Sequence, residues 1–178
     1  MWPRPIWRLQ AATGETVCLS TLNTNGRVIV THLIEGSEPG HIAARVGYEM
    51  DAHSNANGKL LLSNLSSEMQ ASILKKLVLV PHTPYTITDR AAFQSQLDLL
   101  RGQLIVEQQQ EDILGHSDMA APVFDHLGAC CCAVSIVCST ARMDEFQGTY
   151  RRLLLRAAED ISKKMGYYGA WNWFPNGP

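Results

Sequence analysis

Apolar and polar positions alternate over residues 17–22, and 27–35 is rich in β-branched residues. Two strands are predicted there, joined across Asn25-Gly26, a dipeptide that favours a type I′ hairpin turn. A third short strand is expected over 41–46, ending at Gly47. The spacing then changes: Leu60, Leu61 and Leu65 recur at helical intervals, which predicts a helix from Asn55 or Ala56. Ser67 and Gln70 stand in capping-box relation ahead of Ile73, Leu74 and Leu77, giving a second helix that stops before Pro81. Residues 80–88 read as a loop, after which Thr88 or Asp89 caps a third helix whose Phe93, Leu97 and Leu100 stripe ends at Gly102.

The second half returns to strands. Residues 103–108 form a candidate strand, a polar loop runs to Gly115, and 119–125 turns through His126-Leu127-Gly128 into 129–138 as a second hairpin. From Met143 the apolar positions Phe146, Tyr150, Leu153, Leu154, Ala157, Ile161 and Met165 fall three and four apart, so a long amphipathic helix is predicted up to Gly166. The aromatic, Gly- and Pro-bearing stretch 167–178 reads as an irregular tail that packs on a neighbour, and Pro3 and Pro5 argue against a helix in the first residues. Hairpins with helices grouped between and after them indicate an α+β fold: an antiparallel-to-mixed sheet flanked by helices, with a long C-terminal amphipathic helix.

Composition narrows the class. The 178 residues fit one domain, with 46% hydrophobic and 18% charged residues and a formal net charge of −2. That balance excludes a disordered chain and lacks the basic excess of a duplex-binding module. The longest apolar run, 129–137, is half the roughly 18 residues a membrane span needs, and the N-terminus lacks a secretory h-region. No membrane association and a cytoplasmic location are expected.

Cys18, Cys130, Cys131, Cys132 and Cys138 are odd in number and have no C-x-x-C spacing, so neither a disulfide framework nor a zinc site is read from them. Strand alternation would turn Cys131 away from Cys130 and Cys132. They read as small buried apolar residues; a reactive thiol, if present, would be an exposed Cys18 or Cys138.

The order and wording of "TGETVCLSTL", "ARVGYEMDAHSNANGKLLL", "HTPYTITD", "AAPVFDHLG" and "AVSIVCSTARM" resemble the effector-binding domain of the IclR family of bacterial transcriptional regulators. The resemblance spans residues 13–166, leaving 1–12 as a linker remnant or tag and 167–178 as the tail. It implies a GAF-like, profilin-like α/β sheet that binds a small organic, sugar or aromatic acid, without a cofactor, and assembly as a homodimer or homotetramer. DNA would be read only by an N-terminal winged helix-turn-helix. No such pattern or Lys/Arg cluster precedes Thr13. The remaining alternative is a stand-alone metabolite-binding, metal-binding or oligomerisation module.

Within "HSNANGK", a polar, Gly-containing turn leading into a helix offers backbone N–H groups and a positive dipole end, a setting that suits carboxylates. The resemblance places Ala56, Asn57 and Gly58 against the ligand acid, with Gly58 permitting close backbone approach; the competing reading is an ordinary capped helix start. Lys59 is expected to point along the helix in a structural or surface role. The resemblance also implies polar groups opposite the turn; counting back from "MAAPVFD" puts these at Gln108 and Asp118, whereas counting forward from Gly102 points near Val106. Asp118 would repel an acid and accept hydrogen bonds from hydroxyls, which points to a hydroxylated ligand such as a sugar acid. Ser135 and Val137 share one face of the last strand by period two, offering a hydroxyl and an apolar surface. Ile42 and Met50 match the apolar wall beside the turn.

No G-x-S-x-G, Walker A, H-E-x-x-H or dinucleotide glycine motif is present, so the chain is not read as an enzyme. His116, Asp118 and His53 are the residues from which a metal site could be assembled, against the simpler reading of a polar loop at a pocket mouth.

Overall fold

The computed structural model describes residues 3–38, 41–42 and 44–171. Strands β1 (Thr16–Leu22), β2 (Arg27–Ile34), β3 (Glu49–Asp51), β4 (Val106–Gln109), β5 (His116–Phe124) and β6 (Cys130–Ser139) form one sheet in the order β3-β2-β1-β6-β5-β4. Every pairing is antiparallel. Helices α1 (Pro3–Thr13) and α5 (Thr140–Lys164) cover one face; α2 (Ala56–Ser63), α3 (Ser67–Lys76) and α4 (Arg90–Leu100) carry the chain across the other face, from edge strand β3 to edge strand β4. This is the α+β arrangement that the patterning predicts.

Strand alternation sorts side chains between two cores. Val17, Leu19, Met119, Ala121, Val134 and Ile136 meet Ile6, Leu9, Tyr150, Leu154 and Ile161 from α1 and α5. On the opposite face Ala120 and Ala133 are small enough for α2 to lie close, through Ala56, Leu60 and Leu61. Behind α2, Leu62, Ile73, Leu77, Phe93 and Leu97 bind the three helices together.

Several local readings are corrected. Pro3 and Pro5 do not prevent a helix: they occupy the first turn of α1, where a missing N–H removes no intrahelical bond. The helix is amphipathic, burying Ile6 and Leu9 and leaving Trp7 exposed. No strand forms at the described residues of 41–46. That segment loops out after β2, and the edge strand comes later, after Gly47, which adopts φ +84°. The α3 cap is Ser66, whose hydroxyl accepts the Met69 N–H; Gln70 donates to the Leu62 carbonyl at 2.9 Å instead of closing a capping box. α5 begins at Thr140, capped by Ser139, before its apolar stripe becomes visible in sequence. Opposite β5, partners jump from Val123↔Cys132 to Phe124↔Cys130, so Cys131 is the extra residue of a bulge. Cys131 therefore packs with Cys132 on the α5 side while Cys130 lies on the other, breaking the expected alternation. The described part of the tail packs on its own chain, with the Trp171 and Tyr167 rings 5.5 and 5.1 Å from that of Phe124; Trp173 and Phe174 lie outside the described residues.

Candidate functional site

On the α2 face the sheet does not close completely. Between the start of α2, strands β1, β5 and β6 and the loop before β3 lies a cavity of about 370 Å³, within the range typical of small-molecule sites. Asn57, Asp118 and Gln108 stand at its buried end; Ile42, Met50 and Val137 give apolar wall, and the exposed Arg45 and Tyr48 border it on the outside.

The buried end is built from α2 and the paired strands β4 and β5. Gln108 and Asp118 are direct cross-strand partners, and the Gln108 side-chain amide donates to Asp118 Oδ1. Asp118 Oδ2 accepts the backbone N–H of Ala56 at 2.8 Å. One residue on, Asn57 Nδ2 donates to Ser135 Oγ at 3.0 Å, while Asn57 Oδ1 is buried with no partner among the described residues. Burial raises the Asp118 carboxyl from 3.8 to about 7, opposed by the Gln108 and Ala56 donors and by Lys59, and reinforced by Asp112.

Lys59 belongs to the same framework. It is fully buried and ion-paired with Glu111, not extended along the helix surface. Burial lowers its pKa and Glu111 opposes that change. The pair ties α2 to the loop that leads from β4 to β5.

The sequence model described as "Bacterial transcriptional regulator IclR C-terminal" matches residues 3–163. The chain belongs to the IclR family. It is 33% identical over 161 residues to the HTH-type transcriptional regulator KdgR of Dickeya chrysanthemi, covering 90% of this chain and 52% of that protein's length. Among solved structures, the C-terminal domain of Escherichia coli KdgR superposes with a TM-score of 0.83 at 29% identity, covering 93% of this chain and 96% of that one. The inducer-binding domain of PobR from Acinetobacter, a double mutant in complex with 3-hydroxybenzoic acid, superposes with a TM-score of 0.79 at 26% identity, covering 89% of this chain and 93% of that one. The chain is an IclR-type effector-binding domain, and it spans about half the length of KdgR.

Of the residues expected to face an effector in this IclR-type domain, Asn57, Gln108, Asp118, Val137, Ile42 and Met50 line the cavity. Ala56, Gly58 and Ser135 do not. Ala56 donates its N–H to Asp118, and Ser135 lies behind Asn57. Gly58 permits a close approach, but of the chain's own backbone: a Cβ there would overlap Ala52. Its N–H is taken by the Asn55 cap at 2.8 Å. The forward count to Val106 leads into the α2 core, not to the cavity.

The metal candidates are not brought together. His116 and Asp118 border the cavity, but His53 is buried against Phe93 and His82 and donates from Nε2 to the Val80 carbonyl at 2.9 Å. Among the described residues no group of three His, Cys, Asp or Glu side chains is disposed to hold a metal ion. Cys18 and Cys138 are buried, and burial pushes both thiols up to about 12, which opposes the reading of either as a reactive thiol. No helix of the described residues is long and apolar enough to cross a membrane.

Sequence reasoning missed Thr16, Cys18, Asn55, Asp112, Arg45 and Tyr48 as cavity wall. Thr16 and Cys18 were accessible in principle, since Val17 and Leu19 alternate onto the α5 side and leave them on the other. Arg45 and Tyr48 carry no such signal, because Arg45 falls in the segment expected to be a strand and Tyr48 in the connection after Gly47.

Proposed function

We propose that this chain is the sensing half of a transcriptional regulator and that its effector, a small organic, sugar or aromatic acid, binds in the cavity between α2, β5, β6 and the loop before β3. The observation that carries this reading is the cavity itself. Its volume of about 370 Å³ suits a ligand of metabolite size, and polar groups converge at one end of an otherwise largely apolar wall. The 3-hydroxybenzoic acid held by the inducer-binding domain of PobR is of the size and chemistry expected here.

Self-association as a homodimer or homotetramer would let the effector act at a distance. An effector that binds one subunit arrangement better than another shifts the population of both. Paired winged helix-turn-helix heads, carried by a further segment of the regulator, would then change their spacing on a two-fold operator.

A thermal-shift screen of organic, sugar and aromatic acids tests this reading. A ligand at 100 times its Kd adds about 2.7 kcal/mol. The expected hit raises the melting temperature of the native chain and loses that effect in Asn57→Ala. A screen in which no acid stabilises the chain would overturn the proposal. Sedimentation of the same samples is expected to give a dimer or tetramer, and a strictly monomeric species at micromolar concentration would remove the assembly step.

A further inference from the structure

An acid binding at the start of α2 needs free N–H donors there, and among the described residues the chain commits those of Ala56, Gly58 and Lys59 to itself, leaving only that of Asn57 without a partner. The Ala56 N–H is donated to Asp118 Oδ2 at 2.8 Å, the Gly58 N–H to the Asn55 side chain at 2.8 Å, and the Lys59 N–H to the Asn55 carbonyl at 3.1 Å. The Gln108 amide is also committed to Asp118. Asp118 thus holds the position and the contacts a ligand carboxylate would seek at a helix N-terminus. A second carboxylate beside it would face like charge, and Asp112, whose Oδ1 accepts the Ser54 hydroxyl at 2.8 Å, adds another acid to the same lining.

Apart from the Asn57 N–H, the groups left uncommitted at this end are acceptors. Asn57 is 2% exposed and borders the cavity, and its Oδ1 has no partner among the described residues. Asp118, 3% exposed, retains acceptor capacity on both oxygens. A buried end built from acceptors selects a ligand that brings a donor, because one that cannot leaves them unpaired. At the other end of the cavity Arg45 is exposed, and among the described residues it enters no ion pair.

We infer that Asp118 is the chain's own occupant of the anion seat at α2, and that the effector is a hydroxy acid bound with its hydroxyl on Asp118 and Asn57 and its carboxylate at the outer end, on Arg45. This rests on the reading of the cavity as the effector site and gives that site a ligand class and a direction.

Acetate tests the seat without the effector. In Asp118→Ala the Ala56 and Gln108 donors are released, so added acetate is expected to raise the melting temperature and move the Ala56 amide resonance in a saturable way. In the native chain neither should change. An Ala56 resonance that titrates with acetate in the native chain overturns the inference, and this arm stands even if Asp118→Ala does not fold.

Paired ligands test the direction: 3-hydroxybenzoate against benzoate, and gluconate against hexanoate, by calorimetry. The native chain is expected to prefer the hydroxylated member about tenfold or more, a preference that narrows in Asp118→Asn. Arg45→Gln is expected to weaken both members of a pair alike. Equal affinity within both pairs, or affinities that ignore Arg45→Gln, overturns the inference while leaving the effector site in place. Failure of all four acids, and of every acid in the thermal-shift screen, to bind the native chain overturns the effector-site reading and the inference with it.

Discussion

Asp118 Oδ2 accepts the backbone N–H of Ala56 at 2.8 Å, joining β5, next to edge strand β4, to the first turn of α2 across 62 positions of sequence. The bond places a carboxylate on the positive end of a helix while removing it from water, and the two effects oppose each other. Burial wins, since the carboxyl is raised from 3.8 to about 7 despite two donors. What the donors secure is position: the charge is held facing the cavity.

This raised value makes stability depend on pH in a stated direction. The folded protein holds the Asp118 proton more tightly than the unfolded chain, so the contribution is fully present below about 4 and is lost as pH rises through about 7. Between those values the difference in unfolding free energy between the native chain and Asp118→Asn is expected to change by up to about 1.4 kcal/mol per pH unit. Urea titrations from pH 4 to 8 check this. A difference that stays flat across the range would show that the carboxyl titrates in the ordinary range.

Gly58 is required by packing between α2 and the Ala52 backbone, not by contact with a ligand. Gly58→Ala would drive a methyl into main-chain atoms that have no rotamer with which to yield. A loss of about 3 kcal/mol or more is expected in denaturant unfolding, equal with and without effector. A near-neutral variant would mean that α2 can shift away from the 52–55 turn.

Lys59 and Glu111 form an ion pair in which the lysine is fully buried and one glutamate oxygen, Oε2, has no further partner among the described residues. Lys59→Met should cost about 3–5 kcal/mol by leaving Glu111 with an uncompensated buried charge, and the Lys59→Met, Glu111→Leu double variant should recover most of that loss. A double-mutant cycle by chemical denaturation reads out the difference. Strict additivity of the two single losses would count against the pair.

Cys18 and Cys138 should resist thiol reagents in the folded protein, because both are buried and their thiols are pushed up to about 12. Mass spectrometry after a brief alkylation pulse is expected to find them modified only when denaturant is present. Rapid native-state labelling of either would reveal an opening of the layers that cover the central strands β1 and β6, or of the cavity.

The local pattern carried the outline of the molecule. Alternation over 17–22, the Asn25-Gly26 turn, the Phe93 and Leu97 stripe and the long run from Met143 to Ile161 identify strands, a hairpin and helices, because each depends on neighbours a few residues away. Period two put Ser135 and Val137 on one face, and the family resemblance named Asp118, which the structure pairs with Val137 across β5 and β6. The failures share a cause. The bulge at Cys131, the loop at 41–46 and the helix that tolerates Pro3 and Pro5 were set by what lies beside them in space. The same holds for the site. Sequence supplied the polar residues of the "SNANG" turn, Gln108 and Asp118, but only the tertiary structure decided that Asp118 fills the donor position at Ala56, that Asn57 turns to Ser135 and that Gly58 meets Ala52. Residue type and spacing determine what a group can bond to, whereas the packing of α2 on the sheet determines which of those bonds the chain makes with itself and which remain for a ligand.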